Sequence, residues 1–157
     1  MKTTAIDGTE QVYDSRDIIE RIEYLEQSGI DSDESARLEE LNKRGDLTDD
    51  EASEREDLEA RALDSDDAAE LEALRALANE CEGYADWQYG EQLISVDYFV
   101  EHIEELINDC YEMPKDMNSG EWPWRHMKID YEAAAKEAEQ DYALVTFMGR
   151  DFFIRNC

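Results

Sequence analysis

Behind Ser15, the positions Ile18, Ile19, Ile22 and Leu25 fall three and four residues apart, the spacing of a single helix face. Ser28-Gly29 then supplies the stop expected of a left-handed C-terminal position. A second helix is predicted from Asp33 to Lys43, with Leu38 and Leu41 inward and Gly45 as its terminator. The third opens on Thr48-Asp49-Asp50-Glu51, a capping box in which each end residue satisfies the other's free backbone donor, with Leu47 placed for a hydrophobic staple. A fourth starts at Ser65 or Asp66 and carries Leu71, Leu74, Leu77 and Ala78 to Cys81. The short turns favour antiparallel neighbours. "RLEEL", "DLEA" and "ELEAL" echo one another without a fixed period, so helical hairpins fit better than a repeat array.

After Gly83 the pattern changes. Ser95 is placed to cap a helix in which Val96, Phe99, Val100, Ile103, Leu106, Ile107 and Cys110 form a broad apolar face, ending before Pro114. "KDMNSGEWPWRHM" reads as loop, and Asp130 caps a helix over "YEAAAKEAEQ". "YALVTFM" and "DFFIR" then read as two strands joined by a tight turn at Gly149-Arg150. The expected class is α+β: acidic N-terminal antiparallel helices over 1–82, then a small α+β unit with a two-stranded hairpin over 83–157.

Charge separates the two regions as sharply as hydropathy does. Asp14 to Glu82 holds 25 acidic and 8 basic residues and one aromatic, Tyr24, whereas Gly83 to Cys157 holds 16 acidic and 6 basic residues and most of the aromatics. The net charge is −28 over 157 residues, which repels nucleic acid and anionic membranes and favours basic partners. A 41% hydrophobic content argues for a folded core rather than disorder. Cys81, Cys110 and Cys157 are few, odd in number and far apart, which fits a reducing cytoplasm and idle or buried thiols. No run approaches the ~20 apolar residues of a membrane span.

Site chemistry is sparse. "DSDESARLEELN" begins like a calcium loop, but Ala36 stands where the sharp turn needs glycine and Asn42 where a bidentate glutamate is needed. The register starting at Asp64 fails as well, with Ala68 and Ala69 at its fifth and sixth positions. Two histidines, His102 and His126, and isolated cysteines do not make a zinc site. His126, near Trp122 and Trp124, is the one histidine with a functional setting. Nucleophile motifs and phosphate-binding glycine loops are absent, and carboxylate pairs drawn from 43 acidic residues discriminate nothing. No catalytic residue, metal site or cofactor is expected, and an enzyme is disfavoured.

The charge spacing remains. If Asp14 to Glu82 were all helix, its path of roughly 100 Å would carry a carboxylate every ~4 Å, and two such helices side by side one every ~2 Å. Duplex DNA presents one charge per ~1.7 Å of axis. Carboxylates three or four apart on a helix lie ~5–6 Å apart, comparable to the step between phosphates, yet cost helix stability as like charges. Asp50, Glu54 and Asp57 form one such row and Glu20, Glu23 and Glu26 another. With Glu39, Glu40, Asp49, Glu51, Asp66, Asp67 and Glu70 they make up the candidate phosphate-mimicking set. A solvated acidic face, salt adaptation, or an adaptor binding through its leucine faces would produce similar compositions.

"YADWQYGEQLISVDYFVEHIEELIND" and "IDYEAAAKEAEQDYALVTFMGRDFFIR", within a tract from about Leu71 to Arg155, resemble the C-terminal part of ArdA-type antirestriction proteins. The matching features include Trp87, Tyr89-Gly90-Glu91, Tyr98-Phe99, Ile129-Asp130, Asp141-Tyr142 and the strand pair around Val145, Phe147, Gly149 and Arg155. The resemblance covers about half the chain and rests on core and turn residues. It implies an acidic homodimer in the host cytoplasm, phage- or mobile-element-encoded, that imitates bent duplex DNA. Its partner would be the basic DNA-binding cleft of a host defence complex, a type I restriction-modification enzyme first and a CRISPR effector second. The N-terminal half departs from that family, which leaves the target open.

Overall fold

The computed structural model describes residues 2–84 and 86–156. Four helices come first after a short strand: β1 (Val12–Asp14), α1 (Ser15–Ser28), α2 (Ser32–Lys43), α3 (Asp49–Arg61) and α4 (Ser65–Cys81). β2 (Gln92–Ser95), α5 (Phe99–Cys110), α6 (Tyr131–Ala138), β3 (Tyr142–Phe147) and β4 (Arg150–Arg155) follow. The class is α+β, with helices leading and strands closing the chain.

The strands form one antiparallel sheet in the order β1-β2-β4-β3. Successive side chains on a strand point to opposite faces, and here each face has a helical cover. Tyr13, Leu93, Phe152, Ile154, Val145 and Phe147 point to one side, where Ile18 and Leu25 of α1 and Leu71, Leu74 and Leu77 of α4 pack with Trp87 and Cys81. Val12, Ile94 and Phe153 point to the other, under Phe99 and Ile103 of α5 and Ala135 of α6. The first core draws on both compositional regions, so the boundary near Gly83 divides charge and aromatic content, while the packing crosses it.

The expected β3–β4 hairpin is present, with its turn one residue earlier than the expected Gly149-Arg150, so that Arg150 belongs to β4. Phe147 pairs with Arg150 around Met148-Gly149, both at positive φ, as a two-residue type I′ loop requires. The remaining strands add to what periodicity gives. β1 and β2 are three and four residues long and pair only with distant strands. "QLIS" therefore ends in a strand residue, and Ser95 makes no capping bond. Its hydroxyl accepts from Arg150 Nη2 at 3.0 Å, and α5 starts four residues later, after a 3-10 turn at Val96–Tyr98.

Two helix ends also differ. α2 begins at Ser32 because Asp31 and Glu34 make a full capping box, one residue ahead of the expected start. Gly29 follows α1 in an extended conformation, φ −96°, rather than a left-handed one. Its missing side chain serves packing: a Cβ there would lie 2.9 Å from Leu63 Cγ.

Candidate functional site

α2 and α3 form the acidic unit. Leu41 and Leu58 are buried, Leu38 and Leu47 half-buried, and the pairing runs antiparallel. Its direction is recorded by cross-helix ion pairs: Arg61 with Glu34, Arg37 with Glu54 and Arg44 with Glu51. The Thr48–Glu51 capping box is present, with Glu51 Oε2 accepting from Thr48 N at 2.9 Å. That backbone donor and the Arg44 guanidinium hold the Glu51 carboxyl below its ordinary range.

All five basic side chains of the hairpin are engaged. Arg37 spans Glu54 and Glu40, Lys43 holds Glu39, Arg61 spans Glu34 and Asp57, Arg44 takes Glu51, and Arg55 lies 3.8 Å from Glu59. Lys43 keeps the Glu39 carboxyl low, and the two carboxylates on Arg37, Glu54 before Glu40, raise its basicity further. These pairs are exposed, so each contributes at most ~1 kcal/mol and their role is chiefly orientation.

The thirteen candidates consequently fall into groups. Glu39, Glu40, Glu51, Glu54 and Asp57 are ion-paired within the hairpin, and the row Asp50, Glu54, Asp57 is open only at Asp50. Glu26 is held by Arg75 at 2.7 Å, and Asp67 lies 3.7 Å from Arg21. Asp49, Asp50, Asp66 and Glu23 are exposed with no ion pair among the described residues, and Glu20 is exposed on the same helix as Glu23.

Glu70 belongs to the interior. It is 7% exposed and accepts from Arg21 Nε at 2.7 Å, Arg21 Nη2 at 2.8 Å and Ile6 N at 2.8 Å. Burial pushes its carboxyl up, and the Arg21 bonds with the Ile6 N–H outweigh that, leaving it below its ordinary value. It is a structural anchor between α1, α4 and the N-terminal segment. It follows Asp66 by four residues and Asp67 by three, whereas the inward face of α4 runs through Glu70, Leu71, Leu74 and Leu77.

Glu56 enters the set from the structure. It is exposed, unpaired among the described residues, and lies about 200° around α3 from buried Leu58, so the helix wheel contained the signal. Asp33 and Asp46 are likewise exposed and unpaired there.

α2 and α3 together carry eleven carboxylates and four basic side chains, a net −7 along a hairpin ~20 Å long. That is one uncompensated charge per ~3 Å, sparser than duplex DNA at ~1.7 Å. Internal pairing thus lowers the linear density suggested by counting acids alone.

Comparison with family models, curated proteins and solved structures returns no match.

The other candidate chemistry occupies different places. Cys81 is buried, which pushes its thiol up to about 12, and Cys110 is exposed. Cys157 lies outside the described residues. Among the described residues no three His, Cys, Asp or Glu side chains converge as a metal site, and no helix is long and apolar enough to cross a membrane. His102 is half-buried against Phe99, and burial lowers its basicity, while His126 is exposed and accepts from Arg125 Nε at 3.1 Å. Of the residues named for the antirestriction resemblance, Phe99 lies on α5, Tyr142, Val145 and Phe147 on β3 and Arg155 on β4, while Trp87, Tyr89, Gly90 and Glu91 precede β2; none lies on α2 or α3.

Proposed function

We propose that the chain is a DNA-mimicking anti-defence inhibitor, acting by occupancy, whose α2–α3 hairpin enters the basic DNA-binding cleft of a host nucleic-acid-binding complex. One observation carries this reading. The antiparallel hairpin spends its leucines and cations on internal order and leaves Asp33, Asp46, Asp49, Asp50 and Glu56 facing solvent without an intramolecular cation among the described residues. The ion pairs fix the backbone on which those groups are mounted, and fixed charges lose less entropy on meeting a cationic groove than a disordered acidic tail does.

The target class follows from the antirestriction-like stretch: a type I restriction-modification enzyme first, a CRISPR effector second. No catalysis is required. The competing adaptor reading needs accessible leucine faces on the acidic helices, where Leu41, Leu58, Leu71, Leu74 and Leu77 are all buried.

The experiment is direct titration of purified complexes of both classes across a salt series, with competition against duplex DNA. Direct affinity for the complex should fall steeply with salt, because binding releases counterions held by the acidic hairpin, and competition with duplex DNA at a fixed salt shows that the two share a site. Replacing Asp49 and Asp50 by Asn and Glu56 by Gln should weaken the affinity ~10-fold and flatten the salt slope. Inhibition indifferent to both salt and these amides rules out mimicry.

A further inference from the structure

The sequence gives α5 a wider apolar face than the fold covers. Phe99 and Ile103 are buried, yet Val100 is 37% exposed, Leu106 42% and Tyr111, just past the helix, 67%. Ile103, Leu106 and Tyr111 line, with Ile107, Ala134 and Ala138, an apolar groove of about 450 Å³ between α5 and α6. The volume is that of a ligand site, but Leu106 and Tyr111 stand open to solvent, so a small molecule would leave one flank wet. A helix laid along the groove covers that flank, and the small side chains of Ala134 and Ala138 allow close approach.

Charge selects the occupant. From Phe99 to Met113 there are five acidic residues and neither lysine nor arginine. At 100° per residue, Glu104 and Asp109 flank the Ile103–Leu106–Ile107 stripe on its two sides, and Glu137 borders Ala134 and Ala138 on α6. Lys136 is tied to Glu139 at 2.9 Å, and Lys128 beside Ile129 and Lys115 two residues past Met113 are the positive neighbours, outnumbered by the acids. A second copy would bring the same acidic flanks, on a chain of net −28, against this rim.

We infer that the α5–α6 groove is a docking site for a cationic amphipathic helix of a partner protein, with apolar residues at i, i+3, i+4 and i+7 seated on Leu106, Ile107 and Tyr111 and flanking Lys or Arg meeting Glu104, Asp109 and Glu137. The site is separate from the α2–α3 hairpin and does not rest on mimicry.

Three labelled peptides of about 18 residues test it: a Leu/Lys amphipathic helix, a scrambled peptide of identical composition, and the same helix with Glu for Lys. Anisotropy is read at physiological ionic strength, where the Debye length of ~8 Å damps diffuse attraction to the acidic surface while contacts at the rim persist. The Leu/Lys helix should bind, and Leu106→Gln or Tyr111→Gln, both at exposed positions, should each weaken it ~10-fold, while the hairpin amides at Asp49, Asp50 and Glu56 leave it unchanged. Equal binding of the scrambled or Glu peptide overturns the proposal, as does indifference to both groove variants. Self-association of the protein abolished by Leu106→Gln also overturns it, since the groove would then belong to a second copy.

Discussion

Glu70 and Arg21 illustrate how one carboxylate among 43 acquires a different physics from the rest. The pair is nearly dry, and the Arg21 guanidinium also donates to the Thr3 carbonyl at 2.7 Å, so removing either partner strands a buried charge. Glu70→Gln should cost ~3–5 kcal/mol in urea unfolding at neutral pH. Because the folded carboxyl sits below its ordinary value, its contribution is complete above the unfolded pKa near ~4.3 and disappears as pH falls through the folded value. The substituted protein should therefore lose less stability than the parent on acidification from pH ~6 downwards. A surface acid shows neither effect: Asp49→Asn should change unfolding free energy by no more than ~0.5 kcal/mol.

At the scale of elements, the structure was legible wherever the cause was local. Thr48 with Glu51 and Asp130 with Ala133 are caps written within four residues, and each starts its helix as expected. The β3–β4 turn is equally local, though it sits at Met148-Gly149, one residue before the expected position. β1 and β2 were hidden because three or four residues carry no periodicity of their own, and Tyr13 finds its partner Leu93 eighty residues away. The hairpin was legible as two helices but not as an ion-paired unit, since Arg37–Glu54 and Arg61–Glu34 depend on how α2 and α3 face each other. Glu70 was misplaced for a related reason: spacing showed its acidic neighbours, not which side of α4 the core occupies. Two predictions belong here. Thr48→Ala removes the side-chain acceptor for Glu51 N and should cost ~1 kcal/mol, seen as faster amide exchange in α2 and α3 with the sheet unaffected. Leu58→Ala, which truncates a buried leucine of the hairpin, should cost ~2–5 kcal/mol locally and abolish protection of the hairpin first.

For the whole molecule, 28 uncompensated negative charges set a background that every local interaction works against. Added salt screens that repulsion, so the thermal midpoint should rise from low to physiological ionic strength, while affinity for a basic cleft falls over the same range. Calorimetry and direct titration of the complex on one sample test the opposed trends, and parallel trends would contradict the mimic. A final consequence follows from the sheet order β1-β2-β4-β3, in the currency of time rather than energy. β1 waits for β2, about eighty residues later, which at ~5–20 residues per second of synthesis takes roughly 4–16 s. β4, an inner strand, is made last of all. Throughout that interval the apolar positions of α1 and α4, Ile18, Leu25, Leu71 and Leu74 among them, have no sheet to cover. The acidic density of α1 to α4 then serves the unfinished protein as well as the finished one, keeping half-made chains on neighbouring ribosomes from sticking to one another.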